Sequence, residues 1–333
     1  MAHRSDAPSM VAVLTLLVSI LASYPRSAQS IGVCYGMLGN NLPSKADVVK
    51  MYQSNGITGM RIYNADSATL NALKGTKINL IMDVGLSDAS SSSAAATWVN
   101  NNVKPYYPDV SFKYIAVGNE VSGGDVSNIL PAMKNIYNSL SSAGLNSIQV
   151  STSVAFGVLG TSYPPSAGAF SSDASYMTSI VQYLASINSP LLANIYPYFS
   201  YAGNTAQISL DYALFTSPGT VVTDGSNKYQ NLFDAQVDAL YSAMEKVGGS
   251  NVGIVISESG WPSAGGTGTT VSNAQKYNQN LINHVGKGTP KRPTPLETYI
   301  FAMFNENQKP AGVEQNWGLF YPNKQPVYSI SFK

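Results

Sequence analysis

The 333-residue sequence is poor in the side chains that most often perform nucleophilic or metal chemistry. It has one cysteine, Cys34, and two histidines, His3 and His284. A lone cysteine excludes a disulfide within the chain, so a large buried core must supply the stability instead. One histidine beyond the N-terminal segment leaves little for Cys/His or Ser/His/Asp catalysis, and no G-x-S-x-G turn accompanies it. The same scarcity argues against a metal site.

Charged residues are also scarce, at 11% of the chain, and the 19 basic residues nearly balance the 18 acidic ones. A nearly neutral chain of this kind has no basic patch for binding nucleic acid or a membrane surface. We therefore expect an uncharged partner. The 21 tyrosines suit a surface that stacks on sugars and hydrogen-bonds to them, although ordinary core packing accounts for most of them.

The first thirty residues are typical of a secretory signal peptide. A weakly basic start at His3 and Arg4 precedes an apolar run over residues 10–21, and small residues lead to a predicted cleavage after Ser30. The run is shorter than the roughly 20 residues that span a bilayer, which argues against a membrane anchor. We expect a monomer, residues 31–333, that is exported to the extracellular space of the apoplast or cell wall.

Beyond residue 30, short β-branched or apolar runs recur, and each is followed by a helical pattern. Ser44, after Pro43, is the predicted N-cap of the first helix. Eight strands that alternate with helices predict an α/β fold, a (β/α)8 TIM barrel in a single domain. The predicted strands are 31–35, 59–63, 78–84, 112–117, 148–153, 191–196, 252–257 and 297–304.

An open doubly wound sheet is the alternative architecture. No Gly-rich phosphate turn follows the first predicted strand, which favours the barrel. The predicted helices are 45–54, 67–73, 94–103, 126–143, 176–187, 232–247 and 271–285. Between the sixth strand and its helix, residues 200–230 are irregular and aromatic-rich, so they predict a small insert.

Two glutamates follow predicted buried strands: Glu120 the fourth strand and Glu258 the seventh. The C-terminal ends of barrel strands carry the active site, and strands four and seven lie on opposite sides, so these side chains can converge. Glycoside hydrolysis uses such a pair, in which one carboxyl group gives a proton and the other attacks the sugar. The alternative is that each glutamate only caps a strand or pairs with a nearby lysine.

Other glutamates differ in their predicted surroundings. Glu306 follows the eighth strand, at the same rim, and Lys309 lies three residues further on. We expect Lys309 to hold Glu306 and Glu258 ionised through charge proximity, with a plain surface ion pair as the alternative. Glu245 is predicted on a helix surface, and Glu297 opens the eighth strand at the opposite end of the barrel.

Several motifs resemble plant β-glucanases of glycoside hydrolase family 17, in the expected order and from Ile31 to Phe332. The resemblance implies a (β/α)8 barrel, retaining hydrolysis of internal β-1,3 bonds in a β-glucan, and no metal or organic cofactor. The motifs are Ile31-Gly32-Val33-Cys34-Tyr35-Gly36, Val117-Gly118-Asn119-Glu120, Ala193-Asn194-Ile195-Tyr196-Pro197-Tyr198, Val255-Ile256-Ser257-Glu258-Ser259-Gly260-Trp261-Pro262, Tyr277-Asn278 and Phe301-Ala302-Met303-Phe304-Asn305-Glu306-Asn307-Gln308-Lys309.

The resemblance also implies roles for individual residues. Glu120 corresponds to the family's proton donor and Glu258 to its nucleophile, while Glu306, Lys309 and Glu314 correspond to supporting charged residues. Asn119 is expected to bond the sugar 2-hydroxyl. Seven aromatic residues are candidate stacking platforms along an open groove, although some of them must belong to the core: Tyr35, Tyr63, Tyr196, Phe199, Trp261, Phe304 and Trp317.

The resemblance leaves the linkage open. Residues 60–66 and 81–85 look like the β-1,3-specific type, whereas residues 312–317 look like the type that cuts mixed-linkage β-1,3-1,4-glucan. We expect a β-1,3-glucan substrate such as callose, laminarin or fungal wall glucan. The resemblance suggests a role in defence, with wall remodelling in growth as the alternative. The alternatives are a β-1,3-1,4-glucanase and, in another class, a non-catalytic wall-glucan binding protein, against which the paired acids argue.

Overall fold

The computed structural model describes residues 31–332; the predicted signal peptide and Lys333 lie outside this range. Twelve strands occur within it. They are β1 (Ile31–Cys34), β2 (Gly59–Ile62), β3 (Asn79–Val84), β4 (Ser111–Asn119), β5 (Gln149–Ala155), β6 (Leu159–Thr161), β7 (Ala169–Phe170), β8 (Leu191–Asn194), β9 (Val222–Asp224), β10 (Asn227–Tyr229), β11 (Ile254–Ser259) and β12 (Thr298–Ile300).

Eight of these strands close into a parallel barrel, in the order β1-β2-β3-β4-β5-β8-β11-β12 and back to β1. The closing pair aligns Ile31 with Thr298 and Val33 with Ile300. Every residue of β1, β2, β8, β11 and β12 is buried. Strands covered on both faces need continuous apolar runs, which is why the sequence pattern revealed them. The predicted TIM barrel is confirmed.

Helices cover the outside of the barrel. They are α1 (Lys45–Asn55), α2 (Ser67–Leu73), α3 (Ser92–Asn102), α4 (Val126–Ser142), α5 (Met177–Ser186), α6 (Pro197–Gly203), α7 (Leu210–Ala213), α8 (Leu232–Lys246) and α9 (Val271–His284). The predicted cap of α1 is confirmed, since the Ser44 hydroxyl accepts a hydrogen bond from the Asp47 N–H at 3.2 Å. Nowhere in residues 31–332 does a helix have the length and apolar character needed to cross a membrane.

The eighth barrel strand is shorter than predicted. β12 ends at Ile300, although the N–H groups of Phe301 and Met303 still donate to the Ser259 and Cys34 carbonyls of β11 and β1, each at 2.8 Å. Ala302 N–H donates to the Trp317 carbonyl at 3.0 Å, and Phe320 N–H donates to the Met303 carbonyl at 3.0 Å. The segment beyond β12 is therefore bonded alternately to the barrel and to the chain that follows it.

Two excursions interrupt the regular alternation. The predicted insert after the sixth barrel strand contains α6, α7 and the β9–β10 hairpin. A second hairpin, β6–β7, follows the fifth barrel strand and was not predicted. The two excursions meet where Ser166 donates two hydrogen bonds, from its N–H and its hydroxyl, to the Asp224 carboxylate at 2.7 and 2.8 Å.

Candidate active site

A cleft of about 750 Å³ opens at the carboxyl ends of the barrel strands. The five charged residues that the sequence analysis singled out all line it: Glu120, Glu258, Glu306, Lys309 and Glu314. Strand position alone predicted that Glu120, Glu258 and Glu306 would share this rim. The structure brings them together there.

Glu258 lies within β11, where the strand shifts its register against both of its neighbours. Irregular pairing of this kind turns a side chain out of the regular alternation. Its side chain is almost completely buried and accepts three hydrogen bonds. Oε1 receives Arg61 at 2.9 Å and the Tyr63 hydroxyl at 2.8 Å, and Oε2 receives the Tyr196 hydroxyl at 2.7 Å. These donors stabilise a negative charge and leave the carboxylate a single orientation.

Glu120 directly follows β4 and is more open to the cleft than Glu258. Its backbone is left-handed, with φ of 51°, which is uncommon for a residue other than glycine. Its N–H remains paired, with the Ser153 carbonyl at 2.9 Å. Burial of the carboxyl group raises its pKa, and the nearby Glu258 adds to the rise, while a hydrogen bond from Asn194 to Oε1 at 2.8 Å opposes it.

Arg61 is fully buried beneath the two glutamates. It forms an ion pair with Glu258 and another with Asp83, whose Oδ2 lies 2.8 Å from an Arg61 nitrogen. It also donates to Asn119 Oδ1 at 2.9 Å and to Asn194 Oδ1 at 3.1 Å. Because a guanidinium group stays protonated in proteins, this is a permanent positive charge under the cleft.

Asp83 is the second buried carboxyl group beside Arg61. Burial raises its pKa to about 6, and Glu258 raises it too, whereas the charge and hydrogen bonds of Arg61 lower it. Removing Arg61 would therefore leave two buried carboxyl groups without a counter-charge.

Asn119 and Asn194 connect Glu120 to Arg61, and through Arg61 to Glu258, by hydrogen bonds. Asn194 donates from one nitrogen to Asn119 Oδ1 at 3.0 Å and to Glu120 Oε1. Its Oδ1 accepts from Arg61 and from the Ser257 hydroxyl. Asn119 Oδ1 is occupied by Arg61 and Asn194, so its amide nitrogen is the group that remains to meet a ligand in the cleft.

Lys309 stands at the side of the cleft and contacts two acids. Its Nζ lies 3.7 Å from Glu306 and 3.6 Å from Glu314, and 4.3 Å from the centre of the Phe301 ring. Burial raises the pKa of Glu306, and Lys309 counteracts that effect. Lys309 forms no ion pair with Glu258. The cationic partner of Glu258 is Arg61.

The seven candidate stacking residues separate into two groups. Tyr63, Tyr196, Phe199 and Trp317 line the cleft. Tyr35 also borders the cleft, although it is 0% exposed. Trp261 and Phe304 do not, since they are 0% and 1% exposed. Trp261 packs against Tyr198, Tyr201 and Tyr277 within the core. The structure therefore corrects the expectation for Tyr35, Trp261 and Phe304, which are too deeply buried to stack on a sugar.

Trp317 lines the cleft but is only 3% exposed. Its ring is surrounded by Tyr196, Tyr198, Phe199 and Phe301, with ring centres 5.1 to 5.9 Å away. It therefore presents an edge to the cleft and supports the exposed rings beside it. Phe199, 49% exposed, is the most accessible of the aromatic candidates.

The remaining reactive side chains lie away from this chemistry. Cys34 is buried and donates to the Ser257 carbonyl, and burial raises the pKa of its thiol, so it stays protonated. His284 pairs with Asp234 at 2.7 Å in a separate surface depression. Among residues 31–332, no group of three or more His, Cys, Asp or Glu side chains is placed to hold a metal ion.

Glu245 and Glu297 lie where the sequence pattern put them. Glu245 forms surface ion pairs with Lys291 and Arg292 at 2.8 and 2.7 Å. Glu297 precedes β12 at the other end of the barrel and accepts hydrogen bonds from Lys113, Tyr114 and Tyr299.

The match to a family model covers the whole described chain: the model of glycosyl hydrolases family 17 aligns with residues 31–332. The chain belongs to glycosyl hydrolase family 17. Among its relatives, a maize glucan endo-1,3-beta-glucosidase, acidic isoform, is 59% identical, and the match covers 100% of both chains. A barley protein named Lichenase-2 is 56% identical over 92% of this chain and 100% of its own length.

Solved structures agree with the family 17 assignment. One described as a plant beta-glucan endohydrolase, from a study of two such enzymes with distinct substrate specificities, matches with a TM-score of 0.89 and 56% identity. It covers 90% of this chain and 100% of its own. Family 17 is a family of glycosidases, so the paired acids Glu120 and Glu258 belong to a glycosidase, as predicted.

The residues that organise this family 17 site were not predicted from the sequence: Arg61, Asp83 and Asn194. The sequence did contain a signal for Arg61 and Asp83, because each is a charged residue within a strand of mostly apolar residues. Such a charge is costly to bury unless it is paired. Opposite charges on adjacent strands would have predicted the ion pair.

Replacing Arg61 by methionine should destabilise the fold by about 3–5 kcal/mol, since Asp83 and Glu258 would lose their shared counter-charge. Urea-induced unfolding would measure the loss. Arg292→Met is the matched control, because Arg292 is a half-exposed arginine paired with Glu245 and should cost about 1 kcal/mol or less. Equal losses in the two variants would contradict this account of Arg61.

Proposed function

We propose that this chain is a retaining endo-β-1,3-glucanase in which Glu258 is the nucleophile and Glu120 the proton donor. The observation that carries the proposal is that two carboxyl groups line one cleft in opposite chemical surroundings. Glu258 accepts hydrogen bonds from three donors, Arg61 among them, whereas burial raises the pKa of Glu120. A carboxylate held by several hydrogen-bond donors suits the nucleophile, and a carboxyl group whose pKa is raised suits the proton donor.

Glu258 has the surroundings of a nucleophile. Arg61 and Tyr63 both bond to Oε1, and Tyr196 alone bonds to Oε2. Burial raises the pKa of both tyrosines, and the neighbouring charge of Glu258 raises them too, so the hydroxyls remain donors. The oxygen with a single donor, Oε2, has the more available lone pair and is the atom we assign to the attack.

In the first step, Glu258 attacks the anomeric carbon as the bond to the leaving glucosyl oxygen breaks, and Glu120 gives that oxygen its proton. In the second step, the ionised Glu120 removes a proton from water, which attacks the same carbon and releases the sugar from Glu258. Two inversions at one carbon retain the β configuration. The cycle returns Glu120 to its protonated state and needs no cofactor.

The surrounding residues suit a neutral sugar. We assign the amide nitrogen of Asn119 to a sugar hydroxyl beside Glu258, in line with the predicted contact to the 2-hydroxyl. Lys309 offsets the charges of Glu306 and Glu314, so we assign these three a supporting electrostatic role. Phe199, Tyr63 and Tyr196 supply aromatic surface for glucosyl rings.

The β-1,3 linkage is supported by relatives that match the full chain, including the maize glucan endo-1,3-beta-glucosidase. The barley Lichenase-2 is almost as similar, at 56% identity. Mixed-linkage β-1,3-1,4-glucan therefore remains the alternative substrate, because a few groove contacts are enough to change specificity.

The purified protein should cut laminarin faster than barley mixed-linkage glucan, and a wide range of oligosaccharides should appear early because the cuts are internal. Reducing-sugar release and chromatography of the products would measure this. Rapid cleavage of the mixed-linkage polymer with laminarin left intact would overturn the linkage. Binding of either polymer without release of reducing sugar would favour the non-catalytic alternative.

As a control in the same assay, Glu258→Gln should lower turnover by roughly three orders of magnitude or more, because an amide cannot attack the anomeric carbon. Its affinity for laminarin should stay close to that of the unchanged protein. Substantial remaining turnover would show that another group is the nucleophile.

Replacing Asn194 by alanine should move the alkaline limb of the pH–activity profile to higher pH. Asn194 stabilises the ionised form of Glu120, so its loss raises the pKa of Glu120 and keeps the donor protonated to higher pH. The measurement is kcat/KM against pH. Asn280→Ala, which removes a hydrogen bond to the Leu214 carbonyl outside the cleft, should leave the limb in place; an unmoved limb in Asn194→Ala would contradict the assignment of Glu120.

We infer that the chain is exported and works as an extracellular monomer. The apolar run and small residues before Ile31 support removal of residues 1–30. N-terminal sequencing of the protein recovered from the medium of a plant cell culture should begin at Ile31. Recovery only from the vacuole, or with residues 1–30 attached, would contradict this.

A further inference from the structure

One wall of the cleft carries an exposed leucine. Leu38 lies in the loop after β1 (residues 36–41, here the β1 loop), lines the cleft and is 56% exposed. An exposed leucine by itself needs no explanation. Its backbone and neighbours make this one informative.

The β1 loop is bound along its length to the segment after β12. Leu38 N–H donates to Glu306 Oε1 at 2.7 Å, and Gln308 N–H donates to the Leu38 carbonyl at 3.0 Å. Asn40 and Asn307 exchange two further hydrogen bonds, at 3.2 and 2.8 Å. Both backbone polar groups of Leu38 are thus bonded to protein, and its position is well defined.

The same loop is packed closely from below. A Cβ atom at Gly36 would overlap the Glu306 carboxyl group, so only glycine allows this approach. Lys45 contacts the Met37 sulfur and the Tyr35 hydroxyl, each at 3.1 Å. These contacts hold the β1 loop in a fixed position, from which the Leu38 side chain projects towards the cleft.

The opposite wall carries exposed apolar surface as well. In the ring of eight strands, β1 stands four positions from β5, and Phe156 follows β5 in the cleft lining. Phe199, on α6 after the neighbouring barrel strand β8, also lines the cleft and is 49% exposed. A chain of sugars that crosses the cleft past Glu120 and Glu258 would meet apolar side chains on both sides.

We propose that Leu38 is a substrate-binding residue, an apolar platform for the C–H face of a glucosyl unit beyond the two that flank the cleaved bond. The inference rests on the proposed β-glucanase function and adds a contact that favours long substrates. A fixed apolar side chain binds such a face without losing conformational freedom, which makes the contact more favourable than one from a mobile loop.

The test compares Leu38→Ala, Leu38→Met and Val221→Ala on laminari-oligosaccharides of three to six glucosyl units. Val221 is the matched control because it is an apolar residue, 47% exposed, that lies outside the cleft. Leu38→Ala should raise KM for the longest substrate by about fivefold, the order expected from losing part of a leucine side chain's contact area. The trisaccharide KM and every kcat should stay unchanged.

Leu38→Met preserves the apolar surface and should keep KM for the hexasaccharide within about twofold of the original value. Val221→Ala should match the unchanged protein. Thermal unfolding of each variant checks that the fold is intact, as expected for exposed positions. The proposal is overturned if Leu38→Ala has no effect, if its effect is the same at every substrate length, or if Leu38→Met is as impaired as Leu38→Ala.

Failure of the broader function would look different. If the unchanged protein does not hydrolyse laminari-oligosaccharides, the β-1,3-glucanase assignment fails. Calorimetric binding of laminarihexaose to the unchanged protein and to Leu38→Ala then still tests the platform. Weaker binding in the variant supports it, and equal or undetectable binding overturns it.

Discussion

The candidate site depends on one buried positive charge. Arg61, on β2, bonds to side chains from five other barrel strands, so a single guanidinium group connects six of the eight strands at the level where the cleft begins. Its partners are Asp83 on β3, Asn119 on β4, Ser153 on β5, Asn194 on β8 and Glu258 on β11. A planar group with five N–H donors can do this, whereas a lysine ammonium with three cannot.

This arrangement explains why two similar acids have different surroundings. Glu258 accepts a hydrogen bond from Arg61 directly, while Glu120 is connected to Arg61 by hydrogen bonds only through Asn194. The direct contact with Arg61 stabilises the negative charge of Glu258. Glu120 lacks that contact, so burial is the main influence on its pKa. Lys309, which was expected to hold both Glu306 and Glu258 ionised, forms its ion pairs with Glu306 and Glu314.

The parts of the structure that follow from local patterns could be predicted from the sequence. Strand positions, the Ser44 cap and the acids at strand ends all depend on residues close together in the chain. The inward direction of Trp261 and the early end of β12 could not, because they depend on distant partners such as Tyr277 and Trp317. The hydrogen bonds between Asn119 and Asn194 could not be predicted for the same reason, since these two residues meet only when the barrel closes.

The pairing of β1 with β12 has a consequence for timing. Ile31 bonds in register with Thr298, so the ring stays open until the last strand has left the ribosome. During synthesis the apolar strand β1 therefore lacks its partner β12 until the end of the chain has been made. Contacts so far apart in sequence form slowly, and an exported chain would therefore cross the membrane first and complete its barrel afterwards.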